Sequence, residues 1–369
     1  MKKRVAINLL NFSDDKIAGA AVFAKNLLRG WLTQFEVPAL VIYHSNNIDI
    51  EKLFNLPAIE GIIYKPVKVH HFWWRILYEQ IIMPFRLTRF DIYYSPTPVM
   101  PFLSRIINRR LEIAVTIHDM IPFFVPNKYG KLRSIYVKLI SIWGARLAHH
   151  VVTVSENSKK DIIKIARVDS SKISIVYNFI PSFQSKPKLA HEKFFLSIST
   201  IEPGKNIENT ILGFKLFLRN RPDRDYKFYW IGKIGWGYTQ AQLQELIADA
   251  GLEHFFFLLG YVDEKKKTDL LSRCTAVVYL SHYEGFGLPV LEGLHFNKPP
   301  VVLNNSSLPE VIGKAGILCD NGDVKEIARA LSDITTNFND YASEIPNQLR
   351  KFDELTQIQK FLNVIGVKQ

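Results

Sequence analysis

The sequence predicts an α/β protein built of two doubly wound domains. Short β-branched apolar segments alternate with segments of helical apolar spacing, which implies parallel sheets joined by crossover helices. A polar, proline-bearing stretch interrupts this alternation near the middle. Length agrees, because 369 residues exceed one ordinary core and a hydrophobic content of 47% is ample for two.

Residues 5–10 read as the first strand, followed by a polar loop that runs to Gly19, Ala20 and Ala21. Residues 22–28 then place apolar side chains at helical spacing. Residues 37–43, 91–94, 112–117 and 151–155 read as further strands, and Ser155 stands where a helix cap is expected ahead of a helix over 159–166. Residues 180–193 break the pattern and read as a linker. A second series follows, with strands at 194–199, 227–231, 255–259, 275–280 and 300–303 and helices at 207–218 and 239–250. The expected domains are therefore 1–180 and 181–348, with a C-terminal helix at about 349–369 packing back on the first. Two Rossmann-like domains facing a central cleft is the economical architecture, since ligands in such sheets bind beyond the carboxyl ends of the strands.

Composition narrows the setting. Cys274 and Cys319 lie in apolar stretches and fit reduced core residues better than a disulfide. The apolar run after the basic start is too short for a signal-peptide core, and no uninterrupted apolar run approaches the length of a membrane span. A cytoplasmic setting, peripheral to the inner face of a membrane, fits these features. The net charge of +12 is segregated: residues 1–180 hold 25 Lys and Arg against 13 Asp and Glu, whereas residues 181–369 hold 22 of each. The first half is thus expected to meet something anionic. Its segment 70–80, with Trp73, Trp74 and Arg75, has the residues of an amphipathic membrane-surface face as well as those of a packed helix. No nucleic-acid recognition motif accompanies the charge.

The richest chemistry lies in Glu284-Gly285-Phe286-Gly287-Leu288-Pro289 and in Glu292, eight residues after Glu284. A strand precedes the glycines, and Pro289 suits the first turn of a helix. Strand, glycine turn and helix N-terminus together make an anion site of outward N–H groups and a positive dipole end. Carboxylates flanking such a site are suited to accept hydrogen bonds from the hydroxyls of a sugar or ribose. A nucleotide-sugar satisfies both halves of the requirement. Lys205 follows the first strand of the second domain and offers a point charge to a diphosphate. His118, at a strand end beside Asp119, is the corresponding candidate in the first domain. Asp223 and Asp225 have Asp-x-Asp spacing but lie just before a strand, at the wrong edge of a sheet for a ligand. No metal is expected, and no cofactor beyond the nucleotide-sugar as co-substrate.

These residues together resemble the GT-B-fold retaining glycosyltransferases of family 4. The Glu-x7-Glu element matches that family's signature, and Ile-Glu-Pro-Gly-Lys-Asn (201–206) is similar to its Glu-Pro-Arg-Lys-Asn segment. Val-Thr-Ile-His-Asp-Met-Ile-Pro (115–122), Thr-Val-Ser-Glu-Asn-Ser (153–158) and Asn-Ser-Ser-Leu-Pro-Glu-Val (305–311) add to the likeness. The resemblance implies that Glu292 holds the donor's ribose and that Glu284 lies near the transferred sugar. Lys205 would neutralise the diphosphate, while Gly285, Phe286, Gly287 and Leu288 would contact sugar and phosphate. Gly260, Tyr261 and Val262 would border the base, His118 would face the sugar from the first domain, and Gly19 and Ala20 would belong to the loop under phosphates and acceptor. Gly204 stands where many relatives carry arginine, and Lys233 is the residue placed to compensate.

The expectation is a metal-independent hexosyltransferase acting on a lipid-linked or growing surface glycan, with a weak pointer to mannose or rhamnose from the His118 context. A sugar-nucleotide epimerase or phosphorylase on the same scaffold, and a non-catalytic sugar-nucleotide-binding protein, are the alternatives.

Overall fold

The computed structural model describes residues 3–12, 19–69, 71–125, 131–181, 192–221 and 225–367. The chain forms two compact units, residues 1–181 with 352–369, and residues 182–351. The linker expected at 180–193 lies largely outside the described residues, as do Asp223 and the loop 13–18 ahead of Gly19.

The first unit is built on a seven-stranded, wholly parallel sheet. Its strands are β1 (Arg4–Asn8), β2 (Ala39–Ser45), β3 (Ile62–Val67), β4 (Ile92–Ser95), β5 (Glu112–Thr116), β6 (His150–Thr153) and β7 (Ile173–Ile175), in the spatial order β3-β2-β1-β4-β5-β6-β7. The direction of winding reverses between β1 and β4, a topological switch point. β3 and β7 are absent from the sequence expectation. β3 contains Pro66 and alternates little, which only an edge strand tolerates, and β7 is three residues long. One side of this sheet is closed by the helix Gly19–Gln34 and by the C-terminal helix Glu354–Val364, through Trp31 against Phe361 and Gln34 donating to Glu354 at 2.9 Å. The C-terminal helix expected at about 349–369 is this Glu354–Val364, capped by Asp353 after a turn at Arg350–Phe352; the helix before it, Phe338–Leu349, belongs to the second unit.

On the other side lie helices Phe72–Leu77 and Met83–Arg86, joined by a π-helical turn at Tyr78–Ile82, together with the helix Lys131–Leu147. Glu79, in this turn, lies on the helical face of Phe72, Arg75 and Ile76 and is fully buried. Asn8 at the end of β1 donates to its Oε1 at 3.0 Å, and Arg75 Nε lies 3.6 Å from Oε2. Burial outweighs both partners and pushes the Glu79 carboxyl up to about 7. Arg75 therefore turns inward onto Glu79 and the Phe72 ring instead of outward to a lipid surface, and the sequence expectation for that residue is corrected.

The second unit has a six-stranded parallel sheet in the order β10-β9-β8-β11-β12-β13. Its strands are β8 (Phe194–Ile198), β9 (Lys227–Ile231), β10 (Phe256–Gly260), β11 (Ala276–Tyr279), β12 (Val301–Leu303) and β13 (Ile317–Cys319). Phe214 and Phe217 of the helix Ile207–Arg219 pack edge to face on Phe195 and Phe228 of the sheet, and Phe228 stacks on Phe256, in one aromatic core. Cys274 and Cys319 are buried free thiols. Here the switch point falls between β8 and β11, which pair directly.

Candidate functional site

The loops that leave β8 and β11 meet at the switch point of the second unit. After β8 the chain makes a 3-10 turn at Pro203–Lys205, and Asn206 takes a left-handed conformation (φ 55°) to start the next helix. Its side-chain amide donates to the Gly322 carbonyl at 2.9 Å, which fixes the turn from below. After β11 the chain crosses residues 280–287, and Gly287 (φ 98°) opens the helix Leu288–His295. A β-carbon at Gly287 would meet Leu308 at 2.8 Å, so both conformation and space require glycine there. The two loops are laced together, His282 N donating to the Gly204 carbonyl at 2.9 Å.

Lys205 and Glu284 face each other across this seam. The ammonium donates to Glu284 Oε1 and, at 3.3 Å, to Ser281 Oγ; it also lies 5.3 Å from the centre of the Tyr279 ring. The Tyr279 hydroxyl donates to the same carboxylate oxygen at 2.8 Å. Ser306 and Ser307, from the loop after β12, hold the Glu284 backbone through its N–H (3.0 Å) and carbonyl (3.1 Å). Both side chains are nearly buried, at 13% exposure for Lys205 and 14% for Glu284. Burial pushes the Glu284 carboxyl up, but Lys205, Ser281 and Tyr279 together hold it below the usual carboxylate range. Burial likewise depresses Lys205, and Glu284 reverses the effect and raises it. The result is a fixed, fully ionised pair.

Glu292 has a different partner. It sits in the second turn of the helix Leu288–His295 and accepts from Lys267 Nζ at 2.8 Å; Lys267 also reaches Glu264 at 3.0 Å. Burial raises the Glu292 carboxyl, Lys267 pulls it back only in part, and the net shift is upward. Lys267 was not among the expected site residues. Lys265, Lys266 and Lys267 look like a solvated run, yet Lys267 lies three and four residues before the buried Leu270 and Leu271, which puts it on the inward face of the helix Glu264–Arg273. Tyr279 and Ser281 were also missed, because as residues of a strand end they carried no separate signal.

The remaining expected residues are placed as follows. Gly260 (φ 67°) ends β10, with Tyr261 largely exposed and Val262 packed against the neighbouring core. The Lys233 ammonium lies 5.5 Å from the Tyr261 ring centre, so these two come together; Lys233 has no described contact with Lys205. Gly285 and Phe286 are buried and Leu288 begins the helix. His118, Gly19 and Ala20 belong to the first unit. Gly19 is exposed at the first residue of its helix, with Ala20 beside it. His118 Nε2 donates to the Pro96 carbonyl at 3.0 Å, its ring meets Phe23 edge-on, and its own carbonyl accepts from Ser158 Oγ at 2.8 Å. Burial pushes the imidazole down to about 4, so His118 is neutral near pH 7. Asp225 pairs with Lys193 at 2.6 Å. Among the described residues, no group of three or more His, Cys, Asp or Glu could hold a metal ion.

What the second unit can do chemically follows from this array. An ionised lysine, a helix N-terminus and two carboxylates whose acidities are shifted in opposite directions offer cationic and N–H groups to phosphate and acceptors to hydroxyls. Comparison with known proteins agrees with that chemistry. Residues 17–182 match the family described as Glycosyltransferase Family 4, and residues 179–351 match Glycosyl transferases group 1. The chain is 32% identical over 250 residues to the O-antigen chain mannosyltransferase B of Escherichia coli, a match covering 64% of this chain and 63% of that protein. It is 28% identical to the O-antigen chain mannosyltransferase RfbU of Salmonella typhimurium, covering 65% of each. The chain thus aligns with somewhat under two thirds of either relative's length. The crystal structure of Anabaena HepE in complex with UDP and glucose has the same fold, with a TM-score of 0.74 at 15% identity over 99% of this chain and all of that one.

Proposed function

Because the chain belongs to the family 4 glycosyltransferases, we propose that its second unit binds a nucleotide-sugar and that the protein transfers the hexosyl group to a glycan. The observation that carries this reading is the Lys205–Glu284 pair beside the N-terminus of the helix Leu288–His295, at the switch point between β8 and β11. Lys205 and the helix N–H groups would stabilise the charge that develops on the departing diphosphate. The bond between the sugar's anomeric carbon and the diphosphate oxygen breaks, and the acceptor hydroxyl oxygen bonds to that carbon. The hydroxyl proton passes to the leaving diphosphate on the same face, which retains the anomeric configuration. Glu292 accepts hydrogen bonds from the ribose, Gly260 to Val262 border the base, and Glu284 with the 285–288 backbone orients the sugar. On the first unit, His118, neutral at pH 7, and Gly19 and Ala20 are the residues that the family resemblance would assign to sugar and acceptor.

The names of the two enterobacterial relatives favour a mannosyl donor and a lipid-borne or growing surface glycan as acceptor. Such an acceptor puts the protein at the inner face of a membrane; among the described residues no helix is long and apolar enough to cross one. The proposal needs no metal. Thermal-shift measurement against UDP, GDP, dTDP and their sugars should identify one nucleotide that raises the melting temperature, by the mass action of a ligand on the folded state. Product analysis with that sugar, run with and without EDTA, then tests transfer. No stabilisation by any nucleotide, or conversion of the donor to an isomer without acceptor, would overturn the reading.

A further inference from the structure

The outward face of one helical layer in the first unit is apolar where a solvated layer would be polar. Helices Phe72–Leu77 and Met83–Arg86 and the helix Lys131–Leu147 all pack on the same side of the sheet, with Met83, Leu87 and Ala145 in one core together with Tyr93, Ile113 and Val151. Phe72 and Tyr136 join the two helical segments edge to face, with ring centres 5.1 Å apart. Their opposite surfaces carry Trp73 (65% exposed), Trp74 (59%) and Phe85 (62%) on one segment. The other carries Leu132 (76%), Ile135, Leu139 and Trp143. Positions 132, 135, 139 and 143 fall on a single helical stripe. A patch of this kind on a folded protein marks an interaction surface.

Charge says what kind. Within residues 72–89 and 131–147 the only carboxylate is Glu79, which is fully buried. Exposed around the apolar residues stand Arg86, Arg89, Arg105, Arg109 and Arg110. Arg86 and Arg89, with Arg4, Lys65 and Phe85, also line a cavity of about 620 Å³ whose lining contains no carboxylate. Tryptophans and aliphatic side chains rimmed by guanidinium groups, on two segments that carry no exposed acid of their own, match the boundary of a bilayer bearing anionic headgroups; the exposed acids of the surrounding rim are Asp91 and Glu112. A nucleic acid would leave the apolar stripe uncovered. A second copy of the chain would bring arginine against arginine.

We propose that this face, formed by residues 72–89 and 131–147, docks the protein on an anionic phospholipid bilayer. Trp73, Trp74, Leu132, Ile135 and Leu139 enter the interface, and the arginines meet lipid phosphates. The inference deepens the reading of a lipid-borne acceptor, and vesicle binding in the absence of any donor tests it separately from transfer.

The test is flotation of the full chain with vesicles of phosphatidylcholine alone or with 30 mol% phosphatidylglycerol, at about 0.05 and 0.5 M salt. Binding should be at least tenfold stronger on the anionic vesicles and should weaken at the higher salt. The pair Trp73→Ser/Trp74→Ser, and separately Leu132→Ser/Leu139→Ser, should each lower partitioning about tenfold. Leu212→Ser, a change at a solvent-facing leucine of the second unit (44% exposed), should leave it unchanged. Circular dichroism checks that each variant folds, and quenching of the unaltered chain's tryptophan fluorescence by bromine-labelled acyl chains needs no variant at all. Negligible flotation on both vesicle types with no quenching would overturn the proposal. So would a concentration-dependent dimer, seen by light scattering, that both double variants abolish without any vesicle binding. Undiminished donor binding by thermal shift in either case would leave the transferase reading standing.

Discussion

Lys205–Glu284 and Lys267–Glu292 are the same pair of residue types on either side of one helix N-terminus, yet opposing forces win in them. Both carboxylates are close to buried, at 14% and 19% exposure. Glu284 collects an ammonium, a phenol and a serine hydroxyl, and is held ionised. Glu292 has one lysine, shares it with Glu264, and ends above its ordinary range. The number of donors, rather than burial or the presence of a counter-charge, separates the two. A fixed charge suits the place where a diphosphate leaves. A carboxylate with free acceptor capacity suits the place where ribose hydroxyls arrive.

The strongest way to break this contrast is to remove each lysine. Lys205→Ala should weaken nucleoside-diphosphate binding by about 1.5–3 kcal/mol and lower turnover by about 10²- to 10³-fold. It should also destabilise the fold by roughly 3–5 kcal/mol, because a buried carboxylate loses its partner. Adding Glu284→Gln should recover much of that stability and none of the turnover. Lys267→Met should cost less, since Glu292 already inclines toward its neutral form and can take up a proton. Urea unfolding and steady-state kinetics on the four proteins measure both effects. Equal stability losses for Lys205→Ala and Lys267→Met would erase the distinction between the pairs.

Acid titration sharpens it. The Glu284 carboxyl lies below its ordinary value of 4.5 in the folded chain, so the stability it contributes is present above pH 4.5 and lost as pH falls through the folded value. The Glu292 carboxyl lies above 4.5, so its contribution is full below pH 4.5 and lost as pH rises through the folded value. The stability gap between the unaltered chain and Glu284→Gln should therefore shrink from pH 7 to pH 4, and the gap to Glu292→Gln should grow. Denaturation midpoints at pH 4, 5.5 and 7 decide it, and gaps that move in the same direction would refute the assignment.

The two regions also differ in how far the sequence reveals them. β8, β9 and β11 are continuous apolar runs with clear ends, so the loops bearing Lys205 and Glu284 could be placed at carboxyl edges without a structure. Their facing one another was expected from the carboxyl-edge position of both loops, but no local pattern carries it, because strand order is a long-range property. Lys267 was hidden in a run of three lysines, and only its register with Leu270 and Leu271 distinguishes it. Glu79 was less legible still: it shares a helical face with Phe72, Arg75 and Ile76, opposite the exposed Trp73, Trp74 and Leu77, but its residue type gives no sign that the carboxyl is fully buried. The stripe on Lys131–Leu147 escaped for the opposite reason: apolar residues occur all around that helix, so no single face stood out.

The smallest expected effect concerns Gly204. The resemblance implies that many relatives carry arginine at the matching position, and a β-carbon built on Gly204 meets no atom within 4 Å. Gly204 is also outside the left-handed region, so a side chain adds no backbone strain. Nothing in the packing demands glycine, and Lys233, the other cation nearby in sequence pattern, lies over Tyr261 instead. Gly204→Arg should therefore add a guanidinium beside Lys205, at the edge of the ionised side of the site, and tighten nucleoside-diphosphate binding by about threefold to tenfold, the worth of one partly solvated charge-assisted hydrogen bond. The same change in a Glu284→Gln background should help more, because the added cation no longer competes for the carboxylate. Calorimetric titration of both proteins with the nucleotide found by thermal shift measures the gain. A loss of affinity in both backgrounds would mean that the Lys205 side of the array does not face the diphosphate at all.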